Sequence, residues 1–310
     1  MILGGDIGGT KVLLGIEDPE NPDRLLQERR YVCAEFTDFD AILDTYFRDS
    51  GVAPPTIRRS CLALAGPVAD DGRHAKLTNL PWTIDGDALA QRFGMPSPRL
   101  VNDFVAAAMG AVTSAAAQRV TLQAGTPLGL APCVVVGAGT GLGMALALPH
   151  ESGWRIVPSE GGHLAFAPSD EEQVRLWRFL AARHRRVTWE RVVSGPGLAA
   201  IYEFISGQRL APEVVAQRAL DGRDGQAQRA LDLFLAAYGA YAGDMAMTCL
   251  ARGGVFLAGG IAAKILPALQ RSDFLKTFGD KAEHAHLLAE MPLHVAIDPS
   301  LGLKGALRLA

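Results

Sequence analysis

A carboxylate lies beside a carboxamide at Asn102-Asp103. The apolar pair Leu100-Val101 before them predicts the end of a strand, and the alanine-rich residues 104–117 after them favour a helix. A carboxylate at such a junction could accept the proton of an alcohol, while the amide binds neighbouring hydroxyl groups. Either side chain could instead cap the helix that follows. Asp103 is therefore the candidate general base, and Asn102 a candidate hydroxyl ligand.

Two glycine-rich loops join apolar, strand-forming runs about half a chain apart. The first loop covers residues 4–11 and the second residues 137–143. Glycine lets backbone N–H groups approach phosphate oxygens with no Cβ in the way, and Thr10 and Thr140 add a hydroxyl donor. Either loop alone could be an ordinary turn. Together, two loops with the same Gly-Thr chemistry indicate phosphate binding.

Three familiar nucleotide-binding patterns do not fit these loops. A P-loop requires Gly-Lys followed by Ser or Thr, whereas the first loop reads Gly9-Thr10-Lys11. A dinucleotide fingerprint requires glycine at the position that Leu142 occupies in the second loop. The His-Arg-Asp and Asp-Phe-Gly triplets of protein kinases do not occur in the chain. These three classes of nucleotide-binding protein are therefore excluded.

Further segments could bind polar ligands. The sequence Ser-Glu-Gly-Gly-His places Glu160 and His163 on either side of a flexible Gly-Gly link. A carboxylate and an imidazole can together accept from and donate to hydroxyl groups, although an exposed turn is the alternative. Glu190, ahead of Ser194-Gly195-Pro196-Gly197, could equally lie on a helix surface. A third glycine segment, residues 253–261, follows a run of helical composition.

The elements that must position these residues follow from length and composition. With 310 residues, of which 49% are hydrophobic, the chain is expected to form two domains, and alternating strand and helix patterns favour an α/β architecture. A net charge of -3 disfavours a nucleic-acid partner. Four cysteines without paired spacing predict neither disulfides nor zinc. Without a recognisable signal peptide or membrane-spanning run, we expect a soluble, cytoplasmic protein with no membrane partner.

In order and combination, these segments resemble the bacterial glucokinase family, within the superfamily of sugar kinases, actin and the 70-kDa heat-shock proteins. The resemblance covers nearly the whole chain. It rests on Gly5-Asp6-Ile7-Gly8-Gly9-Thr10, Asn102-Asp103-Phe104, residues 137–143, Ser159-Glu160-Gly161-Gly162-His163 and Ser194-Gly195-Pro196-Gly197, with residues 254–260 similar to the family's adenosine contact.

The resemblance implies an α/β, two-domain actin-like (ribonuclease H-like) sugar kinase fold with a cleft between its domains. The small domain would comprise residues 1–107 and 298–310, and the large domain residues 108–297. The implied activity is ATP-dependent phosphorylation of glucose to glucose 6-phosphate, with ATP and Mg²⁺ as cofactors and a homodimer as the assembly.

The resemblance also implies a role for each site residue. Asp103 would be the general base for the sugar 6-hydroxyl. No side chain is expected as a direct metal ligand, except that Asp6 could act on the Mg²⁺ of ATP or its waters. The implied sugar contacts are Asn79, Asn102, Asp103, Glu160, His163 and Glu190. The implied nucleotide contacts are Asp6, Gly8, Gly9, Thr10, Lys11, Gly137, Gly139, Thr140, Gly141, Gly259 and Gly260.

Two departures from related patterns refine this interpretation. The related repressor and kinase group carries a cysteine-rich zinc motif at this point, but here His163 is followed by Leu164-Ala165-Phe166 and no cysteine. This difference favours the zinc-free glucokinases. Lys11 stands where many of these glucokinases have a neutral polar residue, and could contact phosphate or point to solvent. Two alternatives stay open: a kinase for another hexose, and a sugar sensor that does not catalyse.

Overall fold

The computed structural model describes residues 1–18, 20–151 and 153–310, except for the side chains of residues 21–23. Two compact units are formed, Met1–Ser114 with Asp298–Ala310, and Ala115–Ile297. The sequence-based boundary after residue 107 falls inside a helix that spans Asp103–Thr113. That helix packs against the C-terminal helix of the first unit, so the unit extends to the end of the helix.

Each unit contains both strands and helices. The strands of the first unit are β1 (Ile2–Ile7), β2 (Lys11–Asp18), β3 (Asn21–Val32), β4 (Arg59–Leu64), β5 (His74–Lys76), β6 (Thr83–Asp85) and β7 (Arg99–Asn102). Those of the second unit are β8 (Arg119–Gln123), β9 (Cys133–Ala138), β10 (Leu142–His150), β11 (Gly153–Ser159), β12 (Gly254–Ala258) and β13 (Leu293–Ala296).

The helices, in chain order, are α1 (Phe39–Ser50), α2 (Gly86–Phe93), α3 (Asp103–Thr113), α4 (Glu171–Ala181), α5 (Gly195–Ser206), α6 (Pro212–Leu220), α7 (Gly225–Cys249), α8 (Gly260–Lys264), α9 (Leu266–Leu269), α10 (Phe274–Gly279), α11 (Ala285–Ala289) and α12 (Leu301–Leu309). Short 3₁₀ helices span Cys33–Glu35, Pro54–Thr56, Ala116–Gln118, Gly161–His163, Trp189–Arg191 and Ala282–His284. Among the described helices, none is long and apolar enough to cross a membrane.

The main sheet of the first unit has the strand order β3-β2-β1-β4-β7 in the described residues. Strands β1, β2 and β3 form an antiparallel meander, whereas β1, β4 and β7 run parallel. Ile7 pairs with Leu64, and Leu64 pairs with Asn102. The carboxyl ends of three parallel strands therefore lie level at one edge, where ligands bind in open α/β sheets.

The second unit repeats this arrangement. Its described strands follow the order β11-β10-β9-β12-β13-β8, in which β9, β10 and β11 form the meander and β9, β12 and β13 run parallel. The fully buried Val134-Val135-Val136 run in β9 is typical of an interior parallel strand. In both sheets, the glycine loop predicted to bind phosphate connects the first two strands of the meander.

The first glycine loop is shorter than the sequence pattern indicated, because Gly4 and Gly5 lie within β1. A Cβ on Gly4 would be 2.6 Å from Leu307 Cγ of α12, and one on Gly5 would be 2.7 Å from Leu62. These two glycines therefore allow close packing inside the sheet, and the turn itself is Gly8-Gly9-Thr10. Helix α3 likewise stops at Thr113, short of the predicted residue 117.

Helix α12 returns the C-terminus to the first unit. Leu303 and Leu307 are buried with Ile2 and Leu13, while Ala306 joins a cluster that includes Ala106 of α3. The first unit is thus assembled from both ends of the chain.

Candidate active site

Asn102 and Asp103 lie at the junction of β7 and α3. Asn102 is the N-cap of the helix: its Oδ1 accepts a hydrogen bond from the Phe104 N–H at 2.9 Å, and its Nδ2 donates to the Gly66 carbonyl at 3.4 Å. Asn102 therefore caps the helix, as the alternative interpretation of the sequence predicted. Asp103 occupies the first helical position, beside the carboxyl end of the neighbouring strand β4.

The surroundings of Asp103 favour its protonated form. Burial raises the pKa of its carboxyl group above the ordinary value, and hydrogen bonds from the N–H groups of Asp103 and Phe104 and from Asn102 only partly oppose this effect. A carboxylate with a raised pKa is a stronger proton acceptor at neutral pH.

Asp6, in β1, lies near Asp103 in the same unit. Burial, followed by the negative charge of Asp103, raises the pKa of Asp6 to about 6, and the positive charge of Lys11 opposes the shift. Lys11 is exposed at the start of β2. Two carboxylates and one ammonium group thus interact electrostatically at the edge where β1, β4 and β7 end.

Gly302 of α12 was not identified from the sequence, yet it lies directly against Asp6. A Cβ at Gly302 would be 2.5 Å from Asp6 Oδ2 and 2.8 Å from its Cγ. Asp6 therefore contacts the first turn of α12, where the helix carries partial positive charge that favours an anion. The only sequence signal is a glycine inside a helical segment, and Gly305 of the same helix shares that signal.

The first glycine loop is a tight connection between β1 and β2. The Gly8 N–H donates to the Lys11 carbonyl at 3.0 Å, and the Cys33 N–H donates to the Thr10 carbonyl at 2.9 Å. A Cβ at Gly9 would be 2.9 Å from Asn79 Cβ. The structure thus brings Asn79 against this loop, while Thr10 and Asn79 remain exposed.

The second glycine loop connects β9 and β10. The Gly139 N–H donates to the Gly141 carbonyl at 2.8 Å, which closes the turn. A Cβ at Gly139 would meet no atom within 4 Å, and Thr140 is exposed. The tip of this loop is therefore open to a ligand.

Gly259 and Gly260 lie beside the second loop. Ala258 at the end of β12 pairs with Gly137, and Gly259 follows with a left-handed φ of 83°. A Cβ at Gly259 would be 2.7 Å from the Ala138 carbonyl oxygen. Glycine is required there for both backbone conformation and close approach.

Glu160 precedes a 3₁₀ helix that packs on the same loop, and His163 is the last residue of this helix. His163 Nε2 lies 3.6 Å from Glu160 Oε2, and the two side chains are 57% and 89% exposed. The Gly-Gly link was interpreted as flexible, but its glycines instead allow close packing, since a Cβ on Gly162 would overlap the Leu142 carbonyl oxygen. The link fixes Glu160 and His163 next to the start of β10.

Glu190 lies in a second 3₁₀ helix, which is anchored by its neighbour Trp189. The Trp189 ring packs against Phe166 and Tyr241, with centroids 5.0 Å and 5.4 Å apart. The Trp189 N–H donates to the Leu164 carbonyl at 3.0 Å, which aligns this helix with the Glu160–His163 segment. Two motifs that are distant in sequence are therefore adjacent in the second unit.

The Glu190 carboxylate also reaches the second glycine loop. Its Oε2 accepts a hydrogen bond from the Leu142 N–H at 3.0 Å. Sequence reasoning missed this contact, because Leu142 was notable only for breaking a dinucleotide pattern.

The side chains that could bind a metal ion or form a disulfide are also described by the structure. No group of three or more His, Cys, Asp or Glu side chains suited to a metal ion occurs among the described residues. The four cysteines are free thiols, and Cys33, Cys61 and Cys133 are buried.

The family model and the curated relatives that match this chain name the same family. The model of the family Glucokinase matches residues 3–310. A curated glucokinase of Nostoc sp. is 37% identical over 99% of this chain and 97% of its own length. A crystal structure of glucokinase from an Antarctic psychrotroph is 28% identical, with a TM-score of 0.88 over 100% of this chain and 99% of that one.

A solved glucokinase from Balamuthia mandrillaris in complex with glucose is 24% identical, with a TM-score of 0.83 over 100% of this chain and 93% of that one. Its fold, like that of the psychrotroph enzyme, is the two-domain actin-like fold. The family model and the Nostoc relative both match nearly the whole chain, and each of the two sheets carries a glycine loop. The chain therefore belongs to the glucokinase family.

Proposed function

We propose that this chain phosphorylates glucose at its 6-hydroxyl with Mg-ATP as donor, producing glucose 6-phosphate and ADP. Membership of the glucokinase family supports the reaction and its substrates. The single observation that carries the mechanism is Asp103, held at the end of β7 with a raised pKa beside a second carboxylate.

Asp103 would act as the general base. As the sugar O6 bonds to the γ-phosphorus of ATP, the bond from that phosphorus to the bridging oxygen breaks, and ADP leaves with that oxygen. The O6–H proton passes to the Asp103 carboxylate, which returns it to water after the products leave. The Asn102 amide hydrogen-bonds to its own helix and to Gly66, so it holds the base in place while offering its remaining capacity to a sugar hydroxyl.

The glycine segments would hold the nucleotide. Backbone N–H groups and hydroxyls of the two loops, Gly8, Gly9, Thr10, Gly137, Gly139, Thr140 and Gly141, are assigned to phosphate oxygens. Gly259 and Gly260 are assigned to the adenosine side, and Lys11 supplies positive charge near Asp6. The Mg²⁺ that accompanies ATP would neutralise developing charge on the phosphates, with Asp6 acting on it directly or through its waters.

The remaining polar residues are assigned to sugar hydroxyls: Asn79, Asn102, Glu160, His163 and Glu190. Carboxylates accept from hydroxyls and imidazole or amide N–H groups donate to them, so the set can satisfy a ligand whose groups do both. We further propose a homodimer, which light scattering after size-exclusion chromatography would measure, and a cytoplasmic location, consistent with the free thiols.

The test is ADP production from Mg-ATP by the purified protein, with glucose, with a panel of other hexoses and with no sugar. Strong glucose-dependent turnover is expected. Turnover with another hexose alone would replace the substrate and keep the mechanism. Absence of turnover from a folded protein that binds glucose in calorimetry would favour a sugar sensor.

A further inference from the structure

The second glycine loop is held in shape by a residue that the family resemblance assigned to the sugar. Glu190 Oε2 accepts from the Leu142 N–H at 3.0 Å, and a Cβ on Gly141 would be only 2.6 Å from the same oxygen. The carboxylate therefore packs against two consecutive residues of the loop.

A second contact ties the same segment to the loop. Shortly after the 3₁₀ helix, the Gly195 N–H donates to the Gly139 carbonyl at 2.8 Å, and Ser194 Oγ donates to the Glu190 carbonyl at 2.7 Å. Glu190 is thus fixed at its backbone as well as at its carboxylate. The segment that contains Glu190 and Gly195 therefore contacts the loop tip at both Gly139 and Gly141.

Leu142 joins the loop to both sugar motifs. Its N–H binds Glu190, while its carbonyl oxygen lies against Gly162 between Glu160 and His163. Since the glycine-rich tip has little side-chain packing of its own, its conformation depends on such contacts. Among the described residues, Glu190 Oε1 has no hydrogen-bond partner, which leaves this oxygen available to a hydroxyl group.

We propose that Glu190 is a positioning residue for the phosphate loop, in addition to any contact with sugar. One oxygen holds the Leu142 peptide so that the loop is shaped for the phosphates of ATP before sugar arrives, and the other is left for the sugar. This inference rests on the proposed function, because it assigns ATP phosphates to the loop.

The experiment is calorimetric binding of Mg-AMPPNP without sugar, alongside separate titrations with glucose. Glu190→Ala removes the acceptor and is expected to weaken Mg-AMPPNP binding about tenfold, or about 1.4 kcal/mol. Glu190→Gln keeps an oxygen that can accept from Leu142, so its Mg-AMPPNP affinity should stay within about twofold of the wild type while glucose binding weakens.

The matched control is Glu160→Ala, a carboxylate of the same unit that is 89% exposed. It should weaken glucose binding and leave Mg-AMPPNP binding unchanged. Wild-type nucleotide affinity in Glu190→Ala would overturn the inference and leave the proposed function intact, as would equal losses in the Ala and Gln variants. A wild-type protein that binds no Mg-AMPPNP would instead contradict the proposed function itself.

A double-mutant cycle separates loop support from general damage. Gly141→Ala places a methyl group against Glu190 Oε2, so it should weaken Mg-AMPPNP binding by displacing the carboxylate. In the Glu190→Ala background that loss should be clearly smaller, because the carboxylate that the methyl group displaces is already missing. Additive losses would show that Gly141 and Glu190 act separately, which contradicts the inference. Unchanged thermal unfolding midpoints would confirm that each variant is folded.

Discussion

At the scale of single residues, the proposed chemistry depends on two carboxylates with raised pKa values. Asp103 is shifted mainly by burial, and Asp6 by burial together with the charge of Asp103. Three predictions concern these residues.

Replacing the proposed base should reduce catalysis while sugar binding stays measurable. In Asp103→Asn, kcat is expected to fall by about 10²-fold or more, because the amide cannot accept the O6–H proton. Steady-state turnover and glucose titration by calorimetry measure the two effects. Near-normal turnover would remove Asp103 from its role as base.

Lys11 should set the acid limit of activity through Asp6. Because protonation of Asp6 removes the charge that we propose acts on Mg-ATP, kcat/KM for Mg-ATP should fall as the pH drops through about 6. Lys11 lowers the pKa of Asp6, so Lys11→Met should raise that pKa and move the acid limb to higher pH. A pH profile of each protein tests this shift. If the acid limb of the profile lies at the same pH in both proteins, Asp6 does not control the loss of activity at low pH.

Asp6 should lower stability at neutral pH. Its pKa rises from the ordinary 3.8 to about 6 on folding, so the folded state binds the proton more tightly than the unfolded state. Stability from this group is therefore lost as pH rises from about 4 to about 6 and stays low above that range. Asp6→Asn should stabilise the protein in urea unfolding at pH 7.5, with a smaller gain at pH 4. An equal gain in the free energy of unfolding at both pH values would show that the raised pKa of Asp6 is not its cause.

At the scale of elements, strand ends and helix starts place the site. The ends of β1, β4 and β7 lie level, and α12 brings Gly302 against Asp6. The second sheet repeats the arrangement with β9 and β12, which sets Gly259 against Ala138. The same architecture thus positions a glycine loop in each unit.

Close approach of α12 to Asp6 should require glycine at residue 302. Gly302→Ala places a methyl group 2.5 Å from Asp6 Oδ2, so the carboxylate must move. We expect kcat/KM for Mg-ATP to fall about tenfold, although alanine normally stabilises a helix over glycine by up to about 1 kcal/mol. Gly279→Ala in α10, where a Cβ would meet no atom within 4 Å, is the matched control and should leave kinetics unchanged. Equal kinetics for both variants would contradict the requirement.

At the scale of the whole molecule, the chain builds its first unit from two distant segments. Residues 298–310 join residues 1–114 through the buried face of α12. The C-terminal helix α12 therefore packs on β1 and β2, the two strands that the first glycine loop connects.

The C-terminal helix should therefore contribute strongly to stability. Leu303 is 0% exposed, and Leu303→Ala is expected to reduce the free energy of unfolding by about 2–5 kcal/mol through lost burial and a cavity. Urea unfolding measures the change. Leu128→Ala, at a residue that is 49% exposed, should change stability by less than about 0.5 kcal/mol. A similar small effect at Leu303 would show that α12 is not needed.

The sequence by itself determined the α/β class, the two glycine loops and the family, because glycine turns, apolar strands and short motifs are local patterns. It also indicated a helix directly after Asn102-Asp103, since helix propensity and capping depend on adjacent residues. Only the tertiary structure decided that Gly4 and Gly5 pack inside β1, that Gly302 meets Asp6 and that Glu190 binds the Leu142 N–H. These contacts join residues far apart in the chain, and sheet pairing and helix packing, which no local pattern specifies, bring them together.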